Sequence, residues 1–181
     1  MLTNRFFCFL ATLIISISTA HAQSDCGIIY GNHWAFTFST PDKWTSLCQA
    51  ERLVGAPVAF WPEGSTFADS TAVMYVNVAK KEKPTLAAFV RSSQRLFRKQ
   101  APNVVFVPIQ QIATKPDIKA MHFSASGDPG GNVEQLAYVE GPTAYFILVL
   151  SARTSDDLKQ AKPAFHALLQ SFAPMAAKVQ P

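Results

Sequence analysis

The chain has 181 residues, with 16 Lys or Arg against 12 Asp or Glu, for a formal net charge of +4. Pro-, Gly- or Ser-rich linkers, repeats and low-complexity runs are absent, which argues against a multidomain or disordered chain. A chain of this size forms one domain around one core.

The first 22 residues have the pattern of a secretory signal peptide. Arg5 precedes an apolar run from Phe6 to Ile17, and Ala20-His21-Ala22 then matches an A-x-A cleavage site. The apolar run is shorter than the ~20 residues that a spanning helix needs. We therefore expect residues 1–22 to be removed, leaving a periplasmic or secreted protein that starts at Gln23 and has no membrane anchor.

Two cysteines, Cys26 and Cys48, follow the predicted cleavage site. In an oxidising compartment two such thiols most simply form one disulfide. The bond would close a loop with 21 intervening residues, for which chain entropy suggests roughly 3 kcal/mol of stabilisation. A metal site is the alternative, although no pair of histidines lies nearby to complete a zinc site.

The first half of the mature chain predicts three strands and then one helix. The strands rest on alternating or continuous apolar residues at 33–38, 58–61 and 72–79. Thr85 follows Pro84 and is typical of an N-cap residue. The helix then carries an apolar stripe at helical spacing, which we expect to be buried, formed by Leu86, Phe89, Val90, Leu96 and Phe97.

The second half predicts four strands and a final helix. Strands are expected at 104–110, 118–126, 133–140 and 143–152, and a helix at 155–172. The run from Tyr145 to Leu150 is apolar without alternation, which indicates a central strand buried on both faces. The prediction is thus an α+β domain over residues 23–173, in the order βββαββββα, followed by a flexible tail at 174–181.

The predicted first helix carries a basic face formed by Arg91, Arg95, Arg98 and Lys99. With the lysines just before it, residues 80–99 hold seven basic residues against Glu82 alone, a net charge of +6, whereas the rest of the mature chain sums to −3. This asymmetry favours an acidic protein partner. The alternative is that these residues simply solvate an exposed helix.

Nucleic acid and anionic membrane are less favoured partners for this face. Export argues against nucleic acid, and an apolar stripe that is needed for the core cannot also enter lipid. The oligomeric state is not predicted.

A second candidate site lies in the long loop after residue 61. Trp61 and Phe67 are its large apolar residues, and loops of this length often carry function. With a pocket near these residues and the glycine-rich turn at 127–132, the alternative function is that of a small-molecule- or metal-binding periplasmic protein, or of an unrecognised hydrolase.

No catalytic signature is present. The motif G-x-S-x-G is absent, and His33, His122 and His166 are not spaced as metal ligands on one helix. The sequence therefore predicts a non-enzymatic protein without catalytic residues, metal ligands or a cofactor.

Two segments resemble the PsbP-like family. The stretch from Trp34 to Trp44 is an aromatic strand that runs into a Pro-x-x-Trp turn, and the stretch from Lys162 to Phe172 resembles the final helix of that family. The family includes the extrinsic subunit of the photosynthetic oxygen-evolving complex and exported bacterial proteins of unassigned role. The resemblance implies an antiparallel sheet sandwiched between helices and little chemistry, and it carries over no binding residue.

Export of the chain by a bacterial host should yield a protein that begins at Gln23, because cleavage follows the A-x-A pattern. Intact-mass measurement of the exported protein checks the new N-terminus. A chain that keeps Met1 in the membrane fraction would contradict both the cleavage and the absence of an anchor.

Overall fold

The computed structural model describes residues 27–110, 115 and 117–177. The described part is an α+β domain with two antiparallel sheets. Its helices are α1 (Glu51–Val54), α2 (Leu86–Gln100) and α3 (Ser155–Ser171). Its strands are β1 (Ile29–Tyr30), β2 (Trp34–Thr37), β3 (Trp44–Cys48), β4 (Val58–Pro62), β5 (Ala72–Lys80), β6 (Val105–Pro108), β7 (Ala120–Ser126), β8 (Val133–Glu140), β9 (Ala144–Ala152) and β10 (Ala173–Ala176).

The larger sheet has seven strands in the order β3-β4-β5-β9-β8-β7-β6. The apolar strand β9 lies at its centre and pairs along its whole length with β5, and over eight residues with β8. Val149, for example, lies opposite Tyr75 on β5 and Leu136 on β8. The central strand that the sequence predicted is therefore confirmed, and β3 and β6 form the two edges.

One face of this sheet, which we call the α3 face, packs against α3 and the smaller sheet β1-β2-β10. Phe146, Leu148 and Leu150 of β9 are fully buried here. Phe36 of β2 and Phe172 pack against Phe146 with ring centroids 5.5 and 5.4 Å away. Burial of side chains of this size contributes roughly 1.5–3 kcal/mol each, so this cluster is a main source of stability.

The opposite face, the α2 face, packs against α2. Tyr145 and Val149 of β9 and Tyr138 of β8 are buried beneath the helix. Phe89 stacks on Tyr145 with ring centroids 4.4 Å apart and planes inclined by 10°. The large sheet thus lies between helices, which confirms the predicted sandwich.

Every strand and both long helices that the sequence predicted are present, and three further strands and α1 are added. The predicted tail was wrong for residues 174–176, because Ala173–Ala176 forms β10. This strand pairs with β2, with Ala173 opposite Thr37 and Ala176 opposite Trp34. The predicted signal peptide at 1–22 and Cys26 lie outside the described residues, so the Cys26 to Cys48 disulfide stays a prediction.

The turn between β8 and β9 is closely packed around Gly141. A Cβ atom on this residue would lie 2.5 Å from Cε2 of Phe146 and 3.1 Å from Cβ of Pro174. Both neighbours belong to the junction between the large sheet, α3 and β10, so neither is free to swing into solvent.

We expect Gly141→Ala to lower the free energy of unfolding by about 1–3 kcal/mol, because overpacking forces the Phe146 ring to shift. Urea unfolding followed by circular dichroism measures the change. Gly27→Ala is the matched control, since its Cβ would meet no atom within 4 Å. Equal stability of the two variants would show that the junction accommodates an added methyl group.

Candidate functional site

The helix α2 begins at a well-defined cap. The Thr85 hydroxyl accepts a hydrogen bond from the backbone N–H of Ala88 at 3.2 Å, as the sequence predicted. The first half of the helix is fixed to the sheet by Leu86, Phe89 and Val90, which are buried in the cluster on the α2 face. The side of α2 from which the basic side chains project is therefore fixed by the packing of the helix on the sheet.

The second half of α2 is largely exposed to solvent. Every residue from Arg95 to Gln100 is exposed, including Leu96 at 61% and Phe97 at 38% of their full surface. The prediction that these two residues complete a buried stripe was wrong. Gln94 is buried instead, and β6, the last strand of the sheet, contacts this end of the helix at Phe97 and Arg98.

Two contacts attach the exposed end of α2 to β6. The rings of Phe97 and Phe106 meet edge to face with centroids 5.9 Å apart. The Arg98 guanidinium lies over the ring of Phe106, 5.2 Å from its centroid. Such a cation–π contact is worth roughly 0.5–1 kcal/mol at an exposed site, so it orients Arg98 while its charge stays in solvent.

The four basic side chains of α2 are exposed and lack acidic partners in the described part of the chain. Arg91, Arg95, Arg98 and Lys99 form no salt bridge with a described residue, since the one salt bridge found there joins Lys81 to Glu140 at 2.8 Å. Lys81 also donates to the carbonyl of Gly141 at 2.9 Å. Of the three lysines that precede α2, Lys81 is therefore paired, whereas Lys80 and Lys83 are exposed and form no salt bridge with a described residue.

The loop with Trp61 and Phe67 is folded back on itself. The two half-buried rings meet edge to face at 6.1 Å. The Ser65 hydroxyl donates to the Pro62 carbonyl at 2.7 Å, and the guanidinium of Arg153 donates to the Ala68 carbonyl at 3.0 Å. These contacts favour a structural role for both aromatic residues.

Four surface clefts of the described structure lie away from Trp61 and Phe67. The largest of these, with a volume of about 660 Å³, is lined by residues that include His33, Trp34 and Thr143. A second lies on the small sheet beside Tyr30 and Met175. None of the four clefts supports the predicted pocket.

The glycine-rich turn connects β7 and β8 as a hairpin, as predicted, and brings Asp128 towards two half-buried groups on the α2 face. Burial raises the pKa of Glu134 above its usual range, and the nearby Asp128 charge adds to this increase. Burial likewise raises the pKa of Tyr75, and the charge of Glu134, followed by that of Asp128, raises it further. These groups were not predicted as a cluster, because they come from β5, β8 and a turn.

Two of the three histidines lie near each other on the α3 face. His122 of β7 is buried, and neither ring nitrogen has a hydrogen-bond partner. The Oε1 atom of Gln135, on the neighbouring strand, also lacks a partner. Burial lowers the pKa of His122, and the nearby His166 of α3 lowers it further. Burial also lowers the pKa of His166, and Lys162 lowers it further.

The histidine pair does not complete a metal site within the described residues. No three His, Cys, Asp or Glu side chains come together there as a set that could hold a metal ion. His33 is an exposed residue at the start of β2, where its carbonyl accepts a hydrogen bond from the Thr143 hydroxyl. His122 on β7 and His166 on α3 lie where the helix packs against the sheet.

Comparison with protein-family models and with curated protein sequences finds no match for this chain. Its structure is similar to that of LpqN, which is involved in cell envelope biogenesis of Mycobacterium tuberculosis. The TM-score is 0.54 and the identity 17%, over 78% of this chain and 83% of that chain. It is also similar to cyanobacterial PsbP (CyanoP) from Synechocystis sp. PCC 6803, with a TM-score of 0.51 and 13% identity, over 87% of this chain and 98% of that chain.

The chain therefore has the PsbP-like fold that its two sequence segments indicated, and at these identities the similarity extends to the fold alone. Among the helices of the described residues, none is long and apolar enough to cross a membrane.

We expect acidification to destabilise the protein from pH 6.5 downward. The ordinary His pKa is 6.5, and the folded pKa values of His122 and His166 are lower. Between these values the unfolded chain binds more protons, so the free energy of unfolding falls as the pH falls, by up to about 1.4 kcal/mol per pH unit for each ring.

Urea unfolding between pH 7.5 and about pH 5 measures the slope of the free energy of unfolding against pH. His122→Phe and His166→Ala should each make this slope shallower. Leu53→Ala, an exposed substitution that removes no titrating group, should leave the slope unchanged. A slope that is the same in all four proteins would contradict the role of the histidine pair.

Proposed function

We propose that this chain is an exported, non-enzymatic accessory protein that binds an acidic segment of a protein partner through the exposed basic face of α2. The observation that carries the proposal is the exposure of four cations, together with two large apolar side chains, Leu96 and Phe97, on one helix that is packed on the sheet. We call this surface, formed by Arg91, Arg95, Leu96, Phe97, Arg98 and Lys99, the α2 patch.

The charges of the α2 patch favour binding over simple solvation. Arg91, Arg95 and Lys99 follow one another at i, i+4 spacing, and each like-charge pair of this kind costs a few tenths of a kcal/mol. Carboxylates on a partner would relieve this repulsion and would accelerate encounter at low ionic strength. Since none of the four cations forms a salt bridge with a described residue, that compensation is left to a second molecule.

The apolar members of the α2 patch give the interaction a contact that is independent of salt. Aromatic residues and Arg are enriched in the cores of protein interfaces, where a few well-packed side chains supply most of the affinity. Phe97 is already held in place by Phe106, so little conformational entropy is lost when it is covered.

The exported location rests on the predicted signal peptide. An envelope role is supported by the fold it shares with LpqN, a protein involved in cell envelope biogenesis. The alternative site at Trp61 and Phe67 receives no comparable support, because the two rings pack on each other and the loop around them is held by its own hydrogen bonds.

We expect the double change Arg91→Glu and Arg95→Glu to abolish capture of the partner from an envelope extract while the fold is kept. The buried side chains Leu86, Phe89 and Val90 are untouched by these exposed substitutions. Affinity capture with the exported protein, followed by titration of the isolated partner at two salt concentrations, measures the effect.

The matched control is Lys159→Glu with Lys162→Glu, which makes the same charge change on exposed positions of α3. This variant should retain the partner. If the α2 variant also retains the partner at physiological ionic strength, the basic residues only solvate the helix. Binding of the wild type to vesicles of phosphatidylglycerol, with no protein captured, would instead assign the α2 patch to a membrane surface.

A further inference from the structure

The strand β6 (Val105–Pro108) is the last strand of the large sheet beside the α2 patch. Its inner side pairs with β7, with Val107 opposite Ser124 and Val105 opposite Ser126. Its outer side pairs with no strand of the described residues. An exposed edge of this kind presents backbone donors and acceptors to which an extended chain can bind.

Exposed apolar side chains are concentrated at this edge. The described residues include eight exposed large hydrophobic side chains, and four of them lie between residues 96 and 107. Leu96 and Phe97 belong to the α2 patch, whereas Val105 and Val107 belong to β6 and are 56% and 52% exposed. Proteins protect open edges with charged side chains, with proline or by keeping the strand short; β6 has four residues and Pro108 at its end, but it carries no charged side chain.

The hydrogen-bond register leaves Phe106 available for pairing. The Ile109 N–H donates to the His122 carbonyl at 3.1 Å, so in this antiparallel ladder residues 105, 107 and 109 direct their backbone groups towards β7. Phe106 then directs both its N–H and its carbonyl to the open side. Pro108 offers only a carbonyl there, which limits pairing to a short segment.

We propose that the acidic segment of the partner binds in extended form as an added strand on β6, an inference that rests on the proposed function of the α2 patch. Alternate side chains of such a strand would lie beside Val105 and Val107 on one face of the sheet. The intervening ones would lie beside Phe106, where Arg98 and the rest of the α2 patch can meet carboxylates. The partner is therefore a chain in which acidic and apolar residues alternate.

A blocked peptide of alternating Glu and Val residues is the probe, titrated into the exported protein and followed by NMR. The peptide should bind and should slow hydrogen exchange of the Phe106 N–H. The same peptide with N-methylated backbone nitrogens has the same side chains but fewer donors, and it should bind about tenfold more weakly or not at all.

Val105→Lys and Val107→Lys should each weaken peptide binding by about tenfold or more, because a charged side chain protects an edge strand from pairing. Each change adds a positive charge, which by itself would attract the acidic peptide, so weaker binding must come from the loss of the apolar edge. Leu53→Lys is the matched control, since it places the same charge on the exposed helix α1, and it should leave the affinity unchanged.

Failure of the added strand can be distinguished from failure of the proposed function. If the partner is lost in Arg91→Glu with Arg95→Glu but is held normally by both Val-to-Lys variants, the α2 patch binds it and the added strand is wrong. If the wild type binds no alternating peptide, or binds the N-methylated peptide equally well, the added strand is also wrong. Retention of the partner by the double Glu variant overturns both proposals.

Discussion

The whole domain depends on the burial of β9 on both faces. Phe146, Leu148 and Leu150 need cover on one side, and Tyr145 and Val149 need it on the other. A sheet alone covers neither face, so an element must pack against each one. The helix α3 follows β9 directly and takes one face together with the small sheet, and α2 takes the other.

The position of α2 follows from how it covers Tyr145. Phe89 stacks on the Tyr145 ring, and the Tyr145 hydroxyl donates to the Lys83 carbonyl at 2.9 Å, just before the helix begins. These contacts hold the first half of α2 near the centre of the sheet. A 15-residue helix is about 22 Å long. Its second half therefore extends to the edge of the sheet, where few apolar side chains of the sheet lie beneath it. The exposure of the α2 patch is thus a consequence of the same packing that stabilises the core.

Local signals predicted most of the fold, and contacts between distant residues account for the errors. Alternation and helical spacing located β2, β5, β8, α2 and α3, because those patterns are contained in each segment. The strand β10 was missed since Ala173–Ala176 contains a proline and pairs with β2, some 140 residues earlier. The exposed basic side chains were found from their spacing, whereas the exposure of Phe97, the burial of Gln94 and the pairing of His122 with His166 depend on where the sheet ends and on how α3 crosses it.

The α2 patch and the edge of β6 form one surface because the chain between them is short and buried at both of its ends. Ala101 and Val104 are almost fully buried, and the Val104 N–H donates to the Ala101 carbonyl at 3.1 Å. The rings of Phe97 and Phe106 and the guanidinium of Arg98 connect the two elements again at the surface. Cations, aromatic rings and an open strand edge are therefore held in a fixed arrangement before a partner arrives. Such preorganisation lowers the entropy cost of binding, so a short segment that matches the arrangement can bind specifically although the surface is small.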